Sequence, residues 1–387
     1  MLGHAELRTT LRLLFFCSSL APDRDGVGDY TRTLAGQCVR LGHECRLIAL
    51  NDRFLQVGAE TYENQLVGDG TLPCMRLPSL LEWSVRMKSV ERWARDFLPD
   101  LCSLQYVPYG YHPKGLPWKL PLRLGAIFKS SVRWHIMFHE ICVGLGPGAP
   151  IKHRVVGAIQ KRIAAGLLKS LRPVCVHTHA EPYLDFLRTL GADAKPLRLF
   201  SNIPIPRDCD GTPENENVLG SAHCLNIAFF GTVHSDWNLL SVIELVKRIG
   251  LSQNRVPQII AIGKGGGHAA TTWGVFRKSG IEIEETGICN QSDVSHHLLR
   301  CSYGLSGYPP DLIQKSSAAA AMFEHGLPVL IPRPTLWGNR YKDTIREDCP
   351  LALFGNSLIE DACIVRNASV KNNLSSNVIR KFLSDIA

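Results

Sequence analysis

Twice in this chain a strand-length apolar run leads into a glycine turn, a helix-periodic stretch and a second apolar run. The first such unit starts with the nearly continuous apolar run at residues 11–18 and passes through Gly26-Val27-Gly28. Tyr30, Leu34, Cys38 and Leu41 then share one helical face, Gly42 stops the helix, and residues 45–50 form the second strand. Strands that are apolar at nearly every position belong in parallel sheets covered on both faces, which is also what a connecting helix requires. The second unit starts at residues 225–230, with Gly231-Thr232 at the tip, a helix over residues 239–249 and a strand over 258–262. The pattern predicts an α/β chain of two doubly wound domains, each gathering its loops at one sheet edge.

At 387 residues the chain exceeds what one core usually organises. The proline-bearing stretch at residues 200–206 and the polar run at 208–221 read as a linker. The predicted division is therefore an N-terminal domain at 1–205, a C-terminal domain at 222–365, and a helical tail at 366–387 with a route back to the first domain. Lys and Arg exceed Asp and Glu by 43 to 35 and are spread out, without the basic stripe of a nucleic-acid binder. The thirteen cysteines form no C-x-x-C pair, which argues against zinc ribbons and favours a reducing, cytoplasmic setting. The apolar run after Arg8 is short and broken by Arg12, unlike a secretory leader, and no segment reaches the ~20 apolar residues of a membrane span. In such a compartment the sequons at Asn290, Asn367 and Asn373 carry no weight. The basic helix at residues 151–171 suits either peripheral association with an anionic membrane face or plain solvent.

Candidate chemistry collects at the predicted strand ends. The Gly26-Val27-Gly28 turn is no dinucleotide fingerprint, because Thr31 stands where a third glycine belongs, and it lacks the Gly-Lys-Ser/Thr of a P-loop. The strand at residues 134–140 delivers His139 and Glu140, a pair suited to acid–base work or to structural hydrogen bonding. Tyr106, Tyr109 and Tyr111 lie in a Pro/Gly-rich loop, placed either to stack on a sugar or to pack. Near the C-terminus, Lys315-Ser316-Ser317 precedes a helical run at residues 318–323 that Gly326 ends. Ser316 or Ser317 is a natural N-cap, and a helix start beside a lysine attracts phosphate; an ordinary capped core helix reads the same way. Lys264 lies in a second glycine cluster after residues 258–262.

Taken in order, Gly26-Val27-Gly28-Asp29-Tyr30 with Gly42-His43-Glu44, then Phe230-Gly231-Thr232, then Gly326-Leu327-Pro328-Val329 after a helix resemble GT-B fold glycosyltransferases, in particular the retaining family 4 group. The resemblance spans nearly the whole chain. It implies two Rossmann-like domains facing a central cleft, and a hexosyltransferase-type enzyme of polysaccharide biosynthesis. The donor would be a nucleotide diphosphate sugar acting as co-substrate, with no cofactor or metal, and the acceptor a glycan, lipid-linked glycan or small molecule. By position, the donor side takes Gly26, Val27, Gly28, Gly231, Thr232, Lys264, Lys315, Ser316 and Ser317. His139 and Lys315 take catalytic roles, while Tyr106, Tyr109 and Glu140 line the acceptor side. Two departures stand out: the family's paired glutamates would fall at Ile313 and Ala321, and Glu324 is out of phase by three. The Arg and Lys after the first strand are replaced by Thr232, His234, Asp236 and Asn238. These departures favour the alternative of a catalytically silent GT-B-like nucleotide-binding or assembly subunit. A sugar-nucleotide epimerase is the third reading, ranked lower because no carboxylate-rich constellation is visible.

Overall fold

The apolar run near the N-terminus forms strand β1 (Arg12–Cys17) in a computed structural model describing residues 10–68, 70–128, 132–206, 223–233, 237–355, 358 and 374–387. The predicted linker at 208–221, His234, Asp236, Asn367 and Asn373 lie outside the described residues. The chain divides into two units. Met1–His179, Tyr183–Leu197 and Ser376–Ala387 make the first, and Ala180–Pro182 with Arg198–Ser375 the second.

In the first half, β1 is followed by α1 (Gly26–Arg40), β2 (Glu44–Asp52), β3 (Thr61–Val67), β4 (Gly70–Pro78), α2 (Trp83–Phe97) and β5 (Leu101–Tyr106). Next come α3 (Pro108–Tyr111), α4 (Leu120–Ile127), β6 (Arg133–Phe138), α5 (Ile151–Leu171), β7 (Cys175–Thr178), α6 (Glu181–Arg188) and β8 (Ala194–Pro196). The sheet order is β3-β4-β2-β1-β5-β6-β7-β8, parallel throughout except for the β3–β4 hairpin. Strand order therefore reverses between β1 and β5, the crevice where doubly wound sheets bind ligands. Leu13 to Cys17 are fully buried, as the unbroken apolar run requires.

Between residues 51 and 98 the sequence predicts no element, yet β3, β4 and α2 lie there. Strand β3 alternates exposed and covered positions at the sheet edge, while Pro73 and Arg76 interrupt the apolar run of β4. Their strand state comes from pairing, of β3 with β4 and of β4 with β2, which local composition does not announce. The predicted long basic helix is α5, which buries Ile163, Ala164, Leu167 and Leu171 and exposes its first turn. Among the described residues no helix is long and apolar enough to cross a membrane.

The C-terminal helix (Leu374–Ile386) belongs from Ser376 onward to the first unit. Val378, Ile379, Phe382 and Ile386 are at most 4% exposed, and the Phe382 ring lies 5.1 Å from that of His135. A helix this short is marginal alone, whereas four buried side chains at about 1.5–3 kcal/mol each fix it firmly.

The second unit runs β9 (Cys224–Phe230), α7 (Leu239–Ser252), β10 (Val256–Ile262), α8 (Ala269–Lys278), β11 (Glu282–Gly287), α9 (Gln291–Leu299) and β12 (Tyr303–Leu305). A 3-10 turn (Pro310–Lys315), α10 (Ser317–Glu324), β13 (Val329–Leu330), α11 (Lys342–Asp348) and β14 (Ala352–Leu353) complete it. Its six parallel strands are ordered β11-β10-β9-β12-β13-β14, the 3-2-1-4-5-6 order of a Rossmann sheet. Ile227 and Phe229 join one core cluster with α7 and α8 residues such as Val246, Trp273 and Phe276. Their neighbour Ala228 joins another with Leu298, Ala319, Met322 and Ile345. Helices thus cover both faces, which is why β9 reads as an uninterrupted apolar run.

Candidate functional site

In the second unit the order reverses between β9 and β12, and the residues beyond their C-terminal ends converge there. Gly231 leaves β9 at φ 120°, a conformation open to glycine and strained for other residues. A Cβ placed on Gly231 would lie 3.6 Å from the Cβ of Ala318, so this turn abuts the first turn of α10. The amide of Val233 donates to the carbonyl of Gly265 (2.7 Å), which ties the Lys264–Gly266 turn to the same place. Gly231, Thr232, Lys264, Lys315, Ser316 and Ser317, separated by up to 86 positions in sequence, are thereby brought to one sheet edge.

Ser316 is the N-cap: its hydroxyl accepts from the amide of Ala319 (3.2 Å) and is buried. Ser317 is exposed at the first helical position, and Thr232 and Lys264 are also exposed. Lys315 closes the preceding 3-10 turn, its Nζ 5.9 Å from the Tyr308 ring. An open helix start flanked by ammonium groups is suited to an anion, because unpaired amides and the helix dipole add to the side-chain charge. The positions where the resemblance expects glutamates are core: Ile313 is 1% exposed and Ala321 0%. A cavity of about 50 Å³ on the flank of α10, lined by Ser316, Ala320, Phe323 and Glu324, is far below the ~300 Å³ lower end of small-molecule pockets.

Glu324, in the last turn of α10, accepts from the amide of Ser201 (2.7 Å), and burial pushes its carboxyl up to about 7. A folded-state value raised from 4.5 means that the unfolded chain releases this proton first as pH rises. Stability from the neutral carboxyl is therefore full below about pH 4.5 and is lost through pH 7, by about 2 kcal/mol after discounting for partial exposure. Glu324→Gln should flatten that slope in denaturant titrations between pH 5 and 8, and an unchanged slope would assign it elsewhere.

In the first unit, the Gly26-Val27-Gly28 turn is the start of α1, but the amides of Val27 and Gly28 are occupied. Asp25 caps the helix, its Oδ1 accepting from Val27 (3.1 Å) and Gly28 (3.0 Å). A Cβ on Gly28 would collide with the carbonyl oxygen of Ser19, so glycine is needed here for close backbone packing. Tyr106 is a correction to the expected acceptor rim: it is fully buried as the last residue of β5, its ring 6.0 Å from that of Tyr111. A strand-end tyrosine points inward here because β5 is covered at every position. Tyr109, 40% exposed, stays at the surface, and Glu140 is half-buried beside the β5 end.

His139 follows β6 as expected, at 7% exposure, but both of its ring nitrogens are engaged: Nε2 lies 2.9 Å from Gln105 Oε1 and Nδ1 lies 2.9 Å from His179 Nε2. This pairing is not legible in the sequence, since Gln105 and His179 sit on strand ends far apart in the chain. Nor does the sequence announce a recess of about 380 Å³ after β1 and β2, lined by Arg24, Arg53, Arg76 and Gln56. Among the described residues no group of three or more His, Cys, Asp or Glu is placed to hold a metal ion.

No protein-family model matches this sequence, and no curated protein matches it. Solved structures do match the fold. The sucrose-phosphate synthase of Thermosynechococcus elongatus is 11% identical with a TM-score of 0.60, over 97% of this chain and 98% of its own. Anabaena Alr3699/HepE, solved with UDP and glucose, is 13% identical with a TM-score of 0.52, over 97% of this chain and all of its own. A putative UDP-N-acetylglucosamine 2-epimerase from Listeria monocytogenes is 12% identical with a TM-score of 0.51, over 97% and 96%. Identities this low speak to the fold alone, and the fold is that of GT-B glycosyltransferases, with two Rossmann-like units.

Proposed function

We propose that this protein transfers a glycosyl group from a nucleotide diphosphate sugar to an acceptor. The observation that carries the reading is the convergence of Gly231, Thr232, Lys264 and Lys315 on the open start of α10 at the reversal point of the second sheet. There Lys315 and the first-turn amides would neutralise the departing diphosphate, the largest charge that develops in the transfer. UDP in the HepE complex supports a uridine nucleotide as the first donor to try. Retention of configuration, independence from metal, a cytoplasmic location and the likeness to family 4 belong to the same proposal. His139 enters as a positioning residue, because its nitrogens are held by protein partners. On the acceptor side, Tyr109 and Glu140 are joined by the arginine-lined recess, which suits an acceptor bearing an anionic group.

The buried Ile313 and Ala321 favour a second reading, a silent subunit that binds nucleotide without turnover. Calorimetry with UDP and UDP-sugars, followed by donor-hydrolysis and transfer assays, separates the two. Lys315→Ala should weaken UDP binding by about tenfold or more, the scale of one charge-assisted contact. Binding of UDP that is undiminished in Lys315→Ala would remove α10 as the diphosphate site. Tight binding without any turnover would leave the silent subunit.

A further inference from the structure

Among the described residues the two sheets have four edges, and three of them carry protections against pairing with another chain. Strand β8 has three residues and includes Lys195 and Pro196. Strand β14 has two residues, and β11 carries Glu282, Glu284 and Glu285. Brevity, proline and charge are what keep open strand edges from joining. The fourth edge, β3, has none of these. It runs for seven residues as TYENQLV, and its register against β4 holds from Thr61 opposite Arg76 to Val67 opposite Gly70 without a bulge. Its one charged side chain, Glu63, is held by Arg76 at 3.3 Å. On the face shared by alternate residues, Tyr62 is 49% exposed and Leu66 78%.

Pro73 fixes which backbone groups of β3 face outward. It stands opposite Asn64, and without an N–H it cannot exchange the two hydrogen bonds of a bonded antiparallel pair. The bonded pairs are therefore Glu63 with Cys74 and Gln65 with Leu72. Because the sense alternates along a strand, the N–H and C=O groups of Tyr62, Asn64 and Leu66 point away from β4. Among the described residues no strand lies on that side.

We infer that β3 is a dimerisation edge, pairing antiparallel with the β3 of a second copy about a two-fold axis at Asn64. In that register Tyr62 faces the partner's Leu66, Asn64 faces the partner's Asn64, and Leu66 faces the partner's Tyr62. Each of these pairs exchanges two hydrogen bonds through the outward backbone groups. The exposed ring and the exposed leucine come into contact range on both sides of the axis, which removes their apolar surface from water. On the other face Glu63 meets the partner's Gln65, so no like charges are opposed. Sliding the pairing by one step in one direction sets Glu63 against the partner's Glu63, which is destabilising. Sliding it the other way leaves Tyr62 opposite the partner's Gly68, beyond the strand's end. The favoured register is thus its own complement, as a two-fold interface requires.

The test is sedimentation equilibrium of the full chain. An interface made by one strand pair is small and belongs with weak associations, so the dimer should be evident by about 100 μM. Asn64→Pro should leave a folded monomer, because proline is tolerated where an edge N–H faces solvent, and should weaken the dimer by about tenfold or more. Should that variant fail to fold, Asn64→Lys and Asn64→Asp serve in its place. Each alone sets like charges together at the axis and should weaken the dimer, and an equimolar mixture of the two should restore it as a heterodimer. Leu251→Lys, at an equally exposed leucine of the second unit, should change nothing. A chain that stays monomeric at every concentration, as it would if another segment or a different protein's strand covered the edge, overturns the inference. So does a dimer indifferent to Asn64→Pro and to the charge pair.

Discussion

Replacing Arg76 with alanine should destabilise the first unit by about 3–5 kcal/mol, the range for breaking a buried ion pair from one side. Arg76 Nε donates to Asp52 Oδ2 at 2.7 Å, and Asp52 is fully buried at the end of β2. That carboxylate also accepts from Ser19 Oγ (3.0 Å) and from the amides of Phe54 (3.1 Å) and Leu20 (3.3 Å). It therefore pins the loops after β1 and β2 together, beside the reversal of strand order between β1 and β5. Without the guanidinium, three neutral donors face a buried charge that has no counter-ion at contact distance. Because the protein has two units, the effect should be read locally, as accelerated amide exchange in β1, β2 and β4. A companion variant pairing Arg76→Leu with Asp52→Asn should recover much of the loss, since it removes both charges. A change below 1 kcal/mol in Arg76→Ala would mean that the pair is relieved by solvent.

Gly28→Ala is the second large effect, and it separates packing from ligand binding at the first glycine turn. The new Cβ would run into the backbone carbonyl of Ser19, which has no rotamer to escape into. Overpacking of this kind costs about 1–3 kcal/mol, more than alanine's helix propensity returns. Gly26→Ala is the control, because nothing lies within 4 Å of a Cβ there. Gly28→Ala should lower the unfolding temperature while Gly26→Ala leaves it unchanged. If instead Gly26→Ala abolishes UDP binding at full stability, the loop itself contacts the donor and the Asp25 cap must open to allow it.

The doubly wound architecture was legible because strands buried on both faces write their state directly into composition. Residues 11–18 and 225–230 read as strands from their apolar runs, and the basic helix at 151–171 was found to its ends. The β3–β4 hairpin was illegible, since Pro73 and Arg76 break the apolar run of β4, whose inner partner strand, β2, lies more than twenty residues upstream. An N-cap at Ser316 or Ser317 followed from local chemistry, and the structure puts it at Ser316; the burial of Tyr106 did not follow, because a tyrosine ring serves a rim and a core equally well.

By itself the sequence determined the alternation of strand and helix and the placing of glycines and lysines at strand ends. These are local properties, set by periodicity and backbone freedom within a few residues. Only the tertiary structure decided which polar groups are spent on one another: Asp25 on the α1 amides, Asp52 on Arg76, and His139 on Gln105 and His179. Hydrogen bonds reach about 3 Å, so partners that stand tens of residues apart along the chain are assigned only when parallel strands lay them side by side.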